Sequence, residues 1–189
     1  LAACRAAERG KLAEAMGAAQ AAELRALGIN VNFAPSLDVN SNPDNPVIHV
    51  RAFGDDPKQV AQLGAAVVSG LQGGSVAAAV KHFPGHGDTA DDSHTGLPRV
   101  RRDHATALAV DVAPFADVIR EASPAMVMTA HIQYPSLDPE TLPDTDFTCP
   151  ATLSRPILTG LLRDTLGFSG VIITDALDMR AISDRLSAT

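Results

Sequence analysis

Apolar residues along this chain fall in long, interrupted runs that alternate with short, nearly continuous ones, the pattern of helices alternating with buried strands. Residues 2–27 hold no proline, are rich in Ala, Leu, Glu, Lys and Arg, and meet Gly28, which predicts a helix closed by a C-terminal glycine. Val31-Asn32-Phe33-Ala34 then predicts a short strand running into a Pro- and Asn-rich loop. Asp55-Asp56-Pro57 opens a second helix through about Leu71, with aspartate near the N-cap and proline in the first turn. A strand over 76–83 follows the Gly73-Gly74 break. After a long polar loop, 103–121 predicts a third helix, kinked or divided at Pro114. Residues 125–132 form a third strand candidate. Thr152 or Ser154 can cap a fourth helix through Leu166, and Gly170 introduces the buried strand Val171-Ile172-Ile173-Thr174.

Helix and strand in strict alternation point to an α/β fold, a parallel sheet with outer helices. Each strand candidate also ends in polar or ionisable residues: Asp38, Lys81 with His82, His131, and Asp175. In a parallel sheet those ends share one face, and in a (β/α)8 TIM barrel that face carries the chemistry. Such a barrel needs eight strands and about 250 residues, so the expectation is a partial barrel: residues 1–189 as one truncated domain lacking its first and last strands. A small doubly wound domain would need a glycine-rich phosphate loop after the first strand, and Asn32-Phe33-Ala34-Pro35 supplies none.

The composition narrows the function. With 15 Lys and Arg against 22 Asp and Glu among 189 residues, the net charge is −7, which disfavours nucleic-acid binding by a basic face. Hydrophobic residues make up 46% of the chain, enough for a real core, and no apolar run is long enough to predict a membrane span. Trp is absent and aromatics total 4%, so a small ligand is held mainly by polar groups. Cys4 and Cys149 stand in no metal-ligand or disulfide spacing and are expected to be spectators.

Residues 81–94 hold three histidines, three aspartates and a lysine. Gly85 and Gly87 let the backbone turn sharply or approach a ligand, and Pro84 fixes the exit from the strand. Asp92 and His94 lie two apart, so in an extended loop the carboxylate can orient the imidazole for general acid/base work. The same loop offers His82, His86, Asp88, Asp92 and His94 as ligands for zinc or a similar ion. Spacing alone leaves the proton-transfer site, the metal site and a solvated loop all open.

Lys81-His82-Phe83-Pro84-Gly85-His86-Gly87-Asp88-Thr89, followed by Asp92-Ser93-His94, resembles the hallmark of glycoside hydrolase family 3 in its β-N-acetylglucosaminidase branch. Gly28-Ile29-Asn30-Val31-Asn32-Phe33-Ala34-Pro35, Leu37-Asp38-Val39, Asn45-Pro46-Val47-Ile48, Arg51-Ala52-Phe53-Gly54-Asp55-Asp56-Pro57, Ala130-His131-Ile132, Pro150-Ala151-Thr152-Leu153-Ser154 and Gly170-Val171-Ile172-Ile173-Thr174-Asp175 are similar to that branch in the same order. The resemblance implies a barrel enzyme that removes non-reducing terminal N-acetylglucosamine from a glycan with retention, through a covalent intermediate and with no metal or cofactor. It implies Asp175 as nucleophile and His94 as acid/base paired with Asp92, in place of the second carboxylate most glycosidases use. Arg51, Lys81 and His82 fall at positions that bind sugar hydroxyls. From the residues alone, His131 is at most a wall of the pocket, His104 an exposed helix residue, and Arg51 equally a partner for Asp55 or Asp56.

Three departures stand out. His49 replaces the glycine usual two residues before the arginine, Ala176 replaces an acidic residue common after the nucleophile, and the upstream segment with a further sugar-binding aspartate has no counterpart. The isolated chain is therefore expected to have little activity. A metal-dependent hydrolase and a non-catalytic sugar-binding fragment are the rival readings. The sequence leaves open the aglycone (muropeptide, chitin fragment or glycolipid), hydrolysis versus phosphorolysis, and the oligomeric state. The compartment is also open, with cytoplasm expected first and secretion or the cell wall as the alternative.

Overall fold

The computed structural model describes residues 6–89, 96–141 and 148–184. Four parallel strands pair in chain order: β1 (Val31–Asn32), β2 (Ala77–Phe83), β3 (Met126–Thr129) and β4 (Val171–Thr174). Between them run α1 (Ala6–Ala26, preceding β1), α2 (Pro57–Gly73), α3 (104–122) and α4 (Pro156–Thr165), with a short α5 (Arg180–Ser183) after β4. This is four βα units' worth of a (β/α)8 barrel, as the pattern predicts. Among the described residues no helix is long and apolar enough to cross a membrane.

The punctuation residues act where their chemistry suggests. Gly28 at φ +78° and Gly167 at φ +69° close α1 and α4. Asp56 caps α2, its side chain accepting from the Lys58 N–H, and Asp103 caps α3 by accepting from the Thr106 N–H. Of the two candidate caps for α4, Ser154 does the work, its Oγ accepting from the Ile157 N–H at 3.1 Å. Thr152 belongs instead to a buried network described below. Pro114 does not divide α3: the turn before it, Ala107–Val112, widens to π-helical winding, which relieves the clash of the proline ring with the preceding turn.

The core lies between sheet and helices, where α2 contributes Val60, Leu63, Val67, Val68 and Leu71, and α3 contributes Phe115 and Val118. Phe115 meets Phe83 edge to face at 5.2 Å between ring centroids, and burying a ring of that size stabilises by about 1.5–3 kcal/mol. Helix α1 packs through Ala13, Gly17 and Ala21, spaced four apart, and its backbone approaches α2 so closely that a Cβ on Gly17 would sit 2.5 Å from the Val67 carbonyl oxygen. One expectation needs correction. β4 is not a buried strand: Val171 and Thr174 are exposed, and among the described residues β4 pairs with β3 alone.

The strand continuations matter most for the site. After β1 the chain bulges, with one residue more than β2 between matched pairs, and then re-pairs: Ser36 bridges Lys81, and the Leu37 N–H donates to the Lys81 carbonyl at 2.6 Å. That places Asp38 beside His82. The following loop is locked by close backbone approach, since a Cβ on Gly87 would lie 1.7 Å from the Val39 carbonyl oxygen. Gly87→Ala is therefore expected to cost about 1–3 kcal/mol or more in urea unfolding, as overpacking does. Gly10→Ala, on an α1 position with nothing within 4 Å, is the control and gains about 0.5–1 kcal/mol.

Candidate active site

Asp38 has no solvent exposure and four donors around it. The His82 and His86 backbone N–H groups donate to Oδ1 at 3.3 and 2.7 Å, while the Ser36 hydroxyl and His82 Nδ1 reach Oδ2, both at 2.7 Å. Burial alone would raise its pKa; the His82 imidazole, with smaller help from His86 and Ser36, outweighs that and holds the carboxylate well below its usual range. An ionised Asp38 only accepts, so Nδ1 carries the proton and His82 presents Nε2 away from the core. Nε2 lies 3.9 Å from Asp175 Oδ2.

That last distance defines the site. β2 and β4 are separated by β3, and two strand spacings in a flat sheet amount to about 10 Å. The side chains meet because both lean over the concave end of a curled sheet, at the C-terminal ends of the strands, as a barrel requires. Asp175 is half-buried, its Oδ1 accepting from the Ala176 N–H at 2.8 Å. Lys81 belongs to the same cluster: burial and then Arg51 lower its pKa, while Asp175 and Asp38 pull in the opposite direction. Arg51 is exposed, donates to the Val47 carbonyl at 3.4 Å, and makes no ion pair with Asp55 or Asp56 among the described residues. His49, two residues earlier, adopts φ +35°, a conformation that favours the glycine it replaces. Asp175, Lys81, His82 and Arg51 are thus brought together; Asp92 and His94 lie outside the described residues.

A second cluster anchors the loop that leaves β2. Arg102 donates to Asp111 at 3.2 and 3.3 Å, to Asp88 at 2.9 Å and to the Ser41 hydroxyl, joining the β1 loop, both described flanks of the 90–95 segment and the π-turn of α3. Burial pushes Asp111 up to about 6 against the opposing effects of the Tyr134 hydroxyl and Arg102. Gly85, at φ +141°, packs its Cα against Asp111, and the Asn45 amide donates to the His86 carbonyl at 2.9 Å. So the two glycines serve close approach within the protein. His86 is buried with Nδ1 2.7 Å from the Thr89 hydroxyl, and His104 is exposed with Nδ1 2.8 Å from the Ser136 carbonyl. No three His, Cys, Asp or Glu among the described residues are grouped as metal ligands. Cys149 is a free thiol pushed up by burial; Cys4 lies outside the described residues.

Sequence reasoning noted Asp38 as a polar strand end and left it out of the site. It missed Ser36, Arg102 and Asp111 entirely. The available signals were the Ser36-x-Asp38 spacing at a strand end and an aspartate flanked by two valines inside the apolar pattern of α3.

A profile of the glycosyl hydrolase family 3 N-terminal domain matches residues 1–189. The chain belongs to that family. This family 3 chain is 53% identical over 177 residues to β-hexosaminidase A of Pseudoalteromonas piscicida, a match covering 92% of the chain and 29% of that protein. It superposes with a TM-score of 0.87 and 49% identity on a family 3 β-N-acetylglucosaminidase from Paenibacillus sp. str. FPU-7, covering 93% of this chain and 32% of that one. Against native NagZ from Neisseria gonorrhoeae the TM-score is 0.80 at 39% identity, with 90% and 46% covered. The chain thus spans less than half the length of these relatives.

Two of the buried aspartates, Asp38 and Asp111, predict opposite pH behaviour. Asp38, lowered on folding, contributes stability that is present at neutral pH and lost as pH falls below its unfolded value of 3.8. Asp111, raised to about 6, binds its proton more tightly when folded, so its contribution is complete below 3.8 and lost as pH rises through 6. In urea unfolding across pH 3 to 8, Asp111→Asn should remove a fall in stability between pH 4 and 6, and Asp38→Asn should remove part of the acid-side loss; a common slope in both variants contradicts these assignments.

Proposed function

We propose that this chain supplies the catalytic face of a retaining exo-glycosidase that releases non-reducing terminal N-acetylglucosamine, with water as the final acceptor. The observation that supports it best is the alignment of Asp38, His82 and Asp175 across the open end of the sheet, with Lys81 and Arg51 beside them. A carboxylate at a strand end, half-buried and braced by a backbone N–H, is a suitable nucleophile. The 3.9 Å between His82 Nε2 and Asp175 Oδ2 is too long for a hydrogen bond and leaves both polar atoms to a ligand.

In the first step the Asp175 carboxylate bonds to the anomeric carbon while the bond from that carbon to the aglycone oxygen breaks, the electron pair leaving on oxygen. His94, oriented by Asp92, gives that oxygen its proton. In the second step His94 takes a proton from water as the water oxygen displaces Asp175. Lys81, His82 and Arg51 hold the sugar hydroxyls and fix the ring over the carboxylate. The names of the relatives favour an N-acetylhexosamine.

Incubating the full natural chain with a 5-fluoro N-acetylglucosaminyl donor and mapping the labelled peptide should place the sugar on Asp175. Asp175→Ala should lower kcat by about 10⁴-fold or more, in the range found for removal of a catalytic nucleophile, with N-acetylglucosamine still bound. Label on another residue, or cleavage that persists in the variant, rules out the assignment.

A further inference from the structure

Asp175 is braced by its own neighbour: the Ala176 N–H donates to Oδ1, and Oδ2 is the oxygen turned toward His82. What fixes Ala176 comes from another strand. His131, fully buried just past β3, lies with Nε2 3.0 Å from the Ala176 carbonyl oxygen and Nδ1 2.8 Å from the Thr152 hydroxyl. A carbonyl only accepts, so Nε2 carries the proton, and in that tautomer Nδ1 accepts from Thr152. Thr152 Oγ1 in turn accepts from the Thr129 hydroxyl at 3.0 Å, and Thr129 is the register partner of Thr174. The Ala130 carbonyl, 2.9 Å from Thr152 Oγ1, is the competing acceptor for that one proton. The nucleophile is therefore bracketed: the residue before it is held by strand pairing, and the residue after it by an imidazole at the end of a buried hydroxyl chain.

We infer that His131 is a positioning residue that, through the Ala176 carbonyl, keeps the Ala176 N–H on Asp175 Oδ1 and so makes Oδ2 the oxygen that attacks the anomeric carbon. The inference rests on the glycosidase reading above and adds to it which carboxylate oxygen reacts and what selects it. In the glycosylation step Oδ2 forms the new bond to the anomeric carbon as the aglycone oxygen departs with its electron pair and is protonated. Oδ1 stays on the peptide N–H, which disperses the charge returning to the carboxylate when water later releases the sugar. A defect in this bracing misplaces the nucleophile whatever the aglycone, which separates it from any defect in proton donation.

The test uses the full natural chain with His131→Gln and His131→Asn on two N-acetyl-β-glucosaminides, one with a 2,4-dinitrophenyl and one with a 4-methylumbelliferyl leaving group. Glutamine carries an amide N–H near the Nε2 position; asparagine reaches only as far as Nδ1. The Asn variant should lose about 100-fold in kcat with KM within about 3-fold on both substrates, the size of loss that follows a small misplacement of a reacting group, while the Gln variant stays within about 5-fold of wild type. Wild-type kcat in the Asn variant, equal losses in both variants, or a loss much larger on the methylumbelliferyl substrate overturns the inference, as does a loss matching the unfolded fraction measured by thermal melting. Wild type that cleaves neither substrate is a different outcome, the failure of the glycosidase reading itself.

Discussion

A carboxylate with no contact to water is stable only if every lone pair finds a donor, and Asp38 meets that condition with two backbone N–H groups, a hydroxyl and an imidazole. Those donors come from Ser36 on the continuation of β1 and from His82 and His86 at and beyond the end of β2, so the carboxylate stitches two strand ends together at the reactive face. Removing it would leave His82 free to rotate and two peptide N–H groups unpaired in the interior. Because Asp38 accepts the hydrogen bond from Nδ1–H, Nε2 is delivered to one place, beside Asp175. The bulge after β1 is what makes this possible: without the extra residue, the side-chain alternation along the strand would turn Asp38 to the other face.

The rest of the candidate site is built outward from that contact. Lys81 sits next to His82 between opposing influences: burial and Arg51 lower its pKa, while Asp175 and Asp38 oppose them. Arg102 performs a mechanical task of the same kind farther out, joining the β1 loop, Asp88 and α3 through a single guanidinium fork. Asp175 follows directly on β4, and its Oδ1 rests on the N–H of Ala176, whose carbonyl meets a buried histidine two residues past β3.

Much of this was legible in the sequence, for identifiable reasons. Alternating runs, N-cap aspartates and closing glycines predicted the helices and the order of parallel strands, since those signals are local. The strand-end rule brought Lys81, His82, His131 and Asp175 onto one face, and the 81–94 motif carried the family. The tertiary partners were not legible: Asp38 and His82 are 44 residues apart, Thr152 and His131 are 21 apart, and no local pattern states that they meet. The surroundings of Thr152 look like a helix start, yet a buried hydroxyl chain claims it instead. The composition of β4 predicts a buried strand, whereas burial is decided by what packs against its two faces. The π-turn before Pro114 has no sequence signal beyond the proline itself.

The central claim is that the Asp38–His82 pair and Asp175 together define one sugar site. A crystal structure of the full natural chain with N-acetylglucosamine bound tests it most directly. The account predicts the anomeric carbon about 3–3.5 Å from Asp175 Oδ2, the separation of a near-attack geometry, with a ring hydroxyl on His82 Nε2 and Asp38 still holding Nδ1. A sugar seated away from Asp175, or with its anomeric carbon facing a different carboxylate, would contradict it.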